Sequence, residues 1–377
     1  MKREGRNNRS WISRHKCLTF AVLSIFKLFF TTTLYLHYRQ SALDESLLKD
    51  PQDHLHQAPT VAFCSRSRPP LICAHGGDTY KAPPNTAAAF TAALEARVDC
   101  VEVDVARTRD GVLVVLHVRE LQQLVHTQLH ANARSGKRGG GKGPQQWFDD
   151  HIDLDQATPW GKRLRDLQVG DLTWAQLSSL RWASGHLVLR AADAISLASP
   201  YVDCVTLDVK TYVDRASGRD TDTGALVEGV VRLVHDTGCH NCLVWAKSDE
   251  VVGGVKALSP GQRAGVIAMN HTQDARAANM HEPLRLVGPE VVGAHWAMVD
   301  AHMASLLAGH GKLLFTWTVN EPAVLRRVLD AGVDAIVTNE VAAAQEAVSW
   351  RLAKCGGVLA SAHTSPPTWV RGNDGQL

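Results

Sequence analysis

The sequence predicts an α/β protein: a TIM (β/α)8 barrel with a small insertion, preceded by an N-terminal transmembrane helix. Three observations carry this expectation. From Leu71 onward, short β-rich runs alternate with helical stretches over about 280 residues, the pattern of parallel βαβ units. The strand candidates come within one of the eight that close such a barrel. No GxGxxG follows the first run, which speaks against an open doubly wound sheet.

Composition narrows the class further. A chain of 377 residues suits one large domain, and 45% apolar with 21% charged residues is the balance of a packed protein. Disorder throughout is excluded, and Gly 29 with Pro 15 is too little for a collagen-like chain. The formal charge of +2 supplies no overall field toward nucleic acid, so no nucleic-acid partner is expected. Eighteen histidines direct attention to acid–base or metal chemistry.

In chain order, residues 1–16 form a basic cytosolic N-terminus with Lys2, Arg3, Arg6, Arg9, Arg14 and Lys16. The apolar run over 17–37 is long enough to cross a bilayer as a helix, although Lys27 interrupts it at a cost of about 2.5–3.5 kcal/mol. The positive flank keeps residue 1 in the cytosol and carries the rest across, and no small-residue cleavage site follows. An uncut single-pass signal anchor is therefore expected, with the barrel on the lumenal or extracellular side. An organelle transit peptide is the alternative. Residues 38–69 read as a stalk.

The barrel is expected over 70–349. Its strand candidates are 71–77, 98–105, 112–117, 202–210, 242–248, 263–270, 291–296, 313–320 and 334–339, and helices are read at 85–97, 174–182 and 321–332. Residues 119–172 fit neither pattern and read as a surface insertion around the glycine-rich 135–143. Residues 350–377 read as a flexible tail. Cys73, Cys100 and Cys204 lie in strand-like runs, where a thiol is a small core hydrophobe. Cys239 and Cys242 form a local disulfide or two packed thiols. Asn270-His271-Thr272 is a glycosylation acceptor if that part is lumenal.

Polar residues gather at the strand ends, which in a TIM barrel face the active site. His75 closes the first strand and His117 the third. Glu102 and Asp104 stand two apart, so the strand repeat puts both carboxylates on one face. Asp208 and Lys210 repeat that spacing, and Trp317 and Asn320 close a late strand. Three carboxylates suit a hard divalent cation, Mg²⁺ or Ca²⁺, with open positions for substrate oxygens. A lysine beside them suits a phosphate, and two histidines can act as acid and base. Charges inside otherwise apolar strands are costly unless they meet partners or a metal.

Five ordered blocks, HGGDTYKAPPNTAAAF (75–90), VDCVEVDVARTRDGVLVVLH (98–117), TLDVK (206–210), FTWTVN (315–320) and GVDAIVTN (332–339), resemble the glycerophosphodiester phosphodiesterase family. The basic and apolar start, with HGGD and APPNT, is similar to a membrane-anchored, plant-type subgroup. The resemblance implies metal-dependent hydrolysis of a small-molecule glycerophosphodiester to an alcohol and sn-glycerol 3-phosphate. It implies His75 and His117 as the catalytic pair, Glu102, Asp104 and Asp208 as metal ligands, and Lys210 as the lysine beside the third ligand; Trp317 and Asn320, from their places at a strand end, and the Gly76 amide are expected at the substrate as well. It also implies that 119–172 is the family's insertion.

The chain departs from the pattern in four places. Gly76 stands where the family has an arginine that assists at the phosphate, and Val118 where it has an aspartate after the histidine. Asp208 replaces a glutamate, and Asn339 the late aspartate. Lys210, Arg119 or the Gly76 and Gly77 amides are left to make the arginine's contact. A lysophospholipase D acting on membrane lysophospholipids and a catalytically impaired phosphodiester-binding barrel are the alternative functions.

Overall fold

A computed structural model of the chain describes residues 60–126, 144–147, 161, 163, 166–212 and 222–355. The apolar run 17–37, the first part of the stalk and the glycine-rich 135–143 lie outside them. Among the described residues no helix is long and apolar enough to cross a membrane.

The strands are β1 (Leu71–His75), β2 (Cys100–Arg107), β3 (Leu113–Val115), β4 (Val125–His126), β5 (Leu180–Arg181), β6 (Leu189–Arg190), β7 (Cys204–Val209), β8 (Cys242–Ala246), β9 (Ala264–Ala268), β10 (Val291–His295), β11 (Leu313–Trp317) and β12 (Ala335–Thr338). β1, β2 and β7 to β12 pair in parallel, and β12 returns to β1, closing an eight-stranded barrel. These strands are buried on both faces, hence their near-continuous apolar sequences. The third candidate, 112–117, is the one beyond eight: it contributes β3, which pairs antiparallel with β2 and lies outside the ring. Helices connect successive strands and stop on local signals. Thr86 caps Ala87–Glu95 by accepting from the Ala89 amide. Pro322 opens Pro322–Ala331, and Gly332 ends it in the left-handed region at φ +87°.

Side chains at every second position point into the barrel. Cys73, Cys100, Cys204, Leu243, Trp245, Ile267, Phe315 and Val337 fill the interior, while the intervening valines and alanines pack on the outer helices. Trp245 crosses the lumen against Gly293, where a Cβ would lie 2.4 Å from the indole ring. That ring explains a glycine within a strand, a position where glycine otherwise weakens the sheet.

Several boundaries differ from the sequence reading. Residues 60–69, expected in the stalk, pack with the barrel: Phe63 is buried in the main core, and Arg66 pairs with Asp334 and the Gly332 carbonyl. The last helix runs Val341–Lys354, past the expected end at 349, and Cys355 is bonded to Cys64. Residues 174–182 split into the one-turn helix Trp174–Leu177, opened by a Thr173–Gln176 capping box, and β5, whose residues pair antiparallel with β4. The described part of the insertion has its own small core, with Leu121, Leu124, Leu167, Val169 and Leu172 packed on Val114 and Trp182.

Cys73 and Cys100 are a disulfide rather than free core thiols, because the β1–β2 register sets them opposite each other with Cα atoms 4.2 Å apart. Cys239 and Cys242 are bonded, and Cys204 alone of these cysteines is a free, buried thiol.

Candidate active site

The inward series continues past the interior layer to the carboxyl ends of the strands, where it turns polar. On β2 it reads Cys100, Glu102, Asp104; on β7 Cys204, Thr206, Asp208; on β1 Cys73, His75. The register sets His75 beside Glu102 and Asp104 beside Asp208. One oxygen of each of Glu102, Asp104 and Asp208 falls within 4.8 Å of the others. Glu102 and Asp104 are each 1% exposed, whereas the side chain of Asp208 keeps 13% and faces the opening.

Lys210 Nζ lies between the acids, 2.5 Å from Asp104 Oδ1 and in contact with Asp208. Among the described residues it is the one cation within ion-pair distance of these acids. Burial, followed by the Asp104 and Asp208 charges, pushes Glu102 well above the usual carboxylate range. Burial works against ionisation of Asp104 as well, but Lys210, His117 and His75 outweigh it and hold that acid low. A cluster this short of positive charge, built wholly of hard oxygen donors, fits a divalent cation.

The two histidines stand on different supports. His75 Nδ1 is 2.8 Å from Asn339 Oδ1, and Asn339 is held in turn by its amide, which donates to Asn320 Oδ1 at 2.9 Å. His117 caps the short helix Val118–Leu121, its Nδ1 accepting from the Arg119 amide at 3.3 Å. Burial lowers both rings, His117 to about 3, with Lys210 and Arg119 adding to the effect.

Asn85 Nδ2 donates to Asp104 Oδ2 at 2.7 Å and to both oxygens of Glu120 at 3.0 Å, and Asn85 Oδ1 accepts from the Asp104 amide. Glu120 Oε2 accepts from the His117 amide at 2.9 Å. Burial, then the Asp104 charge, pushes the Glu120 carboxyl up to about 8. Glu120 is fully buried and, through Asn85, links Asp104 of the acidic cluster to His117, yet the sequence reading passed over it. H-V-R-E carries the signal, an N-cap followed at N3 by glutamate.

These groups open onto a cleft of about 100 Å³ lined by His75, Glu102, His117, Arg119, Asp208, Lys210, Trp245, Lys247 and Trp317. Trp317, expected at the substrate, is among the lining residues, and its indole N–H donates to the Gly293 carbonyl at 2.7 Å. Gly76 and Asn320 are not among the lining residues. The Gly76 amide donates to Glu102 Oε2 at 3.0 Å, and Asn320 props Asn339, so both act one layer back. Lys247 is a second residue the sequence reading passed over, although it follows Leu243 and Trp245 in the inward alternation of β8. His186 sits in an exposed loop with Ser184, and His130 and His151 lie outside the described residues.

Residues 75–343 match the Glycerophosphoryl diester phosphodiesterase family. The chain belongs to that family. It is 30% identical over 307 residues to the glycerophosphodiester phosphodiesterase GDPD4 of Arabidopsis thaliana, a match covering 81% of this chain and 78% of that protein. A glycerophosphodiester phosphodiesterase of Caldanaerobacter subterraneus subsp. tengcongensis is 21% identical over 271 residues, 72% of this chain and 94% of its own. Among solved structures, a glycerophosphodiester phosphodiesterase from Parabacteroides distasonis ATCC 8503 superposes with a TM-score of 0.53 at 16% identity, covering 75% and 98% of the two chains. An Oleispira antarctica phosphodiesterase, solved in complex with the product sn-glycerol-3-phosphate, gives 0.51 at 17% identity over 74% and 97%. Both superpositions speak to the fold, a TIM barrel. As a member of the glycerophosphodiester phosphodiesterase family, the protein is an enzyme, a phosphoric diester hydrolase, with an acidic triad able to hold a metal ion.

Proposed function

We propose that the protein hydrolyses small glycerophosphodiesters to an alcohol and sn-glycerol 3-phosphate, with a divalent cation, Mg²⁺ or Ca²⁺, held by Glu102, Asp104 and Asp208. The observation that carries the reading is a cluster of three carboxylates, two of them lining the same cleft as two imidazoles. When bound, such a cation draws charge off a non-bridging phosphate oxygen.

The hydrogen bonds divide the work of the histidines. An amide oxygen only accepts, so the contact with Asn339 Oδ1 puts the His75 proton on Nδ1 and leaves a lone pair on Nε2. His75 Nε2 is the base that takes the proton of the attacking oxygen. His117 Nδ1 already accepts from a backbone amide, so its proton is on Nε2. His117 presents that N–H to the leaving oxygen as a hydrogen-bond donor while the P–O bond breaks, steadying the developing charge, and the departing alcohol takes its proton from solvent.

The test compares two leaving groups in the full chain, with Mg²⁺, Ca²⁺ or EDTA. EDTA is expected to stop turnover. His117→Ala is expected to lose most activity on glycerophosphocholine and to recover on a glycerophospho-nitrophenyl ester, whose leaving group needs no acid, while His75→Ala stays inactive on both. Recovery of His75→Ala instead would reverse the two roles. EDTA-resistant turnover would remove the metal.

We propose further that the barrel lies on the lumenal or extracellular side of a membrane, anchored by 17–37. The basic flank supports this, as do three disulfides among the described cysteines, which an oxidising compartment maintains. Those disulfides weigh against a reducing compartment reached through a transit peptide.

A further inference from the structure

An arginine beside the first histidine is the phosphate contact that the family resemblance leads one to expect, and this chain has Gly76 there. Elimination among the cleft's donors identifies what stands in its place. The Gly76 amide is engaged twice, by the Glu102 carbonyl at 3.1 Å and by Glu102 Oε2 at 3.0 Å. The Gly77 amide turns back to the Ala74 carbonyl at 3.4 Å. Lys210 is wedged between Asp104 and Asp208, and its charge answers theirs.

Two cations remain on the lining, Arg119 and Lys247. Neither has a carboxylate within ion-pair distance among the described residues, and both side chains are exposed where the cleft opens. They reach it from different elements. Arg119 rides on the helix Val118–Leu121, one residue past the capping His117. Lys247 stands two residues beyond Trp245 on the inward side of β8, its Nζ 5.6 Å from the centre of the Trp317 ring. Uncommitted guanidinium and ammonium groups at the mouth of an acid-floored cleft are donors without an acceptor. A phosphodiester supplies one, and charge-assisted bonds to it are among the stronger polar contacts available.

We infer that Arg119 and Lys247 together clamp the substrate phosphate and take over the contact missing at Gly76. This rests on the proposed phosphodiester substrate. The acids and Lys210 form the floor, and the two cations hold the phosphate from above. Lys247 and Arg119 are thus substrate-binding residues that leave the acidic triad untouched.

The experiment measures binding of sn-glycerol 3-phosphate to the full chain by calorimetry with saturating Mg²⁺, for wild type, Lys247→Met, Arg119→Met, Lys247→Arg and the double Met variant. Turnover of glycerophosphocholine and Mg²⁺ affinity are measured alongside. Each Met variant is expected to bind about tenfold to hundredfold more weakly, with KM rising and Mg²⁺ affinity unchanged. The double variant is expected to lose measurable binding, and Lys247→Arg to keep most of it. Both residues are exposed, so melting temperatures are expected to hold. Wild-type binding in both Met variants, from a chain that still turns over glycerophosphocholine, overturns the clamp and leaves the activity standing. A wild-type chain that neither binds sn-glycerol 3-phosphate nor turns over a glycerophosphodiester overturns the substrate reading, and the clamp with it.

Discussion

Glu120→Ala tests whether the buried network behind the acids positions them. The change removes the acceptor of the His117 amide and one of the two carboxylates held by Asn85. A buried N–H left without a partner costs about 1–3 kcal/mol, and Asn85 loses roughly another 1 kcal/mol of hydrogen bonding. Removing a carboxyl that sits near Asp104 in a buried site returns part of this. The net is about 2–3 kcal/mol, or roughly 5–10 °C in melting temperature for a barrel of this size. The larger effect is on geometry. Asn85 remains on Asp104, but its anchor is gone, and His117 is freed at the N-cap. Loss of a support behind a metal ligand typically costs about 10–100-fold in metal affinity or activity. Thermal melts, Mg²⁺ titration and kcat/KM on glycerophosphocholine read the three effects. A Glu120→Ala protein that melts with wild type and binds Mg²⁺ equally would refute the positioning argument. Glu120→Gln keeps one acceptor and is expected to fall between the two.

Two further outcomes are expected. Glu102→Gln removes a charge whose ionisation burial and two neighbouring acids oppose, so stability is expected to hold or rise while Mg²⁺ binding and metal-dependent turnover are lost; full turnover in this variant would exclude Glu102 as a ligand. Asn270 is exposed and followed two residues later by Thr272, so a barrel made in the secretory lumen is expected to carry a glycan there. Endoglycosidase treatment should shift the mobility of wild type and not of Asn270→Gln, and an unshifted wild type counts against the lumenal placement.

Much of the site was legible because a strand repeats every two residues. V-E-V-D-V puts Glu102 and Asp104 on one face whatever surrounds them, and T-L-D-V-K does the same for Asp208 and Lys210. The same repeat in C-L-V-W-A-K marks Lys247, which was passed over because a lone lysine after an apolar run reads equally well as a surface charge. Glu120 was harder to see. Its four-residue helix is too short for periodicity, and the value of its carboxylate depends on Asn85, 35 residues earlier.

The sequence by itself determined the alternation of strands and helices, the inward faces and the identity of the acids and histidines, since these follow from local spacing and the cost of burying charge. Register and partnership were decided only by the tertiary structure. Closure of the ring through β12 and β1 left β3 outside it, the β1–β2 register set Cys73 against Cys100, and the β2–β7 register put Lys210 between two acids, which removes it from the uncommitted cations. The same closure brought Asn339 to His75 from 264 residues away. Which nitrogen of a histidine holds its proton, and which cation is left for a phosphate, depend on contacts between residues far apart in the chain, and local spacing carries no record of those.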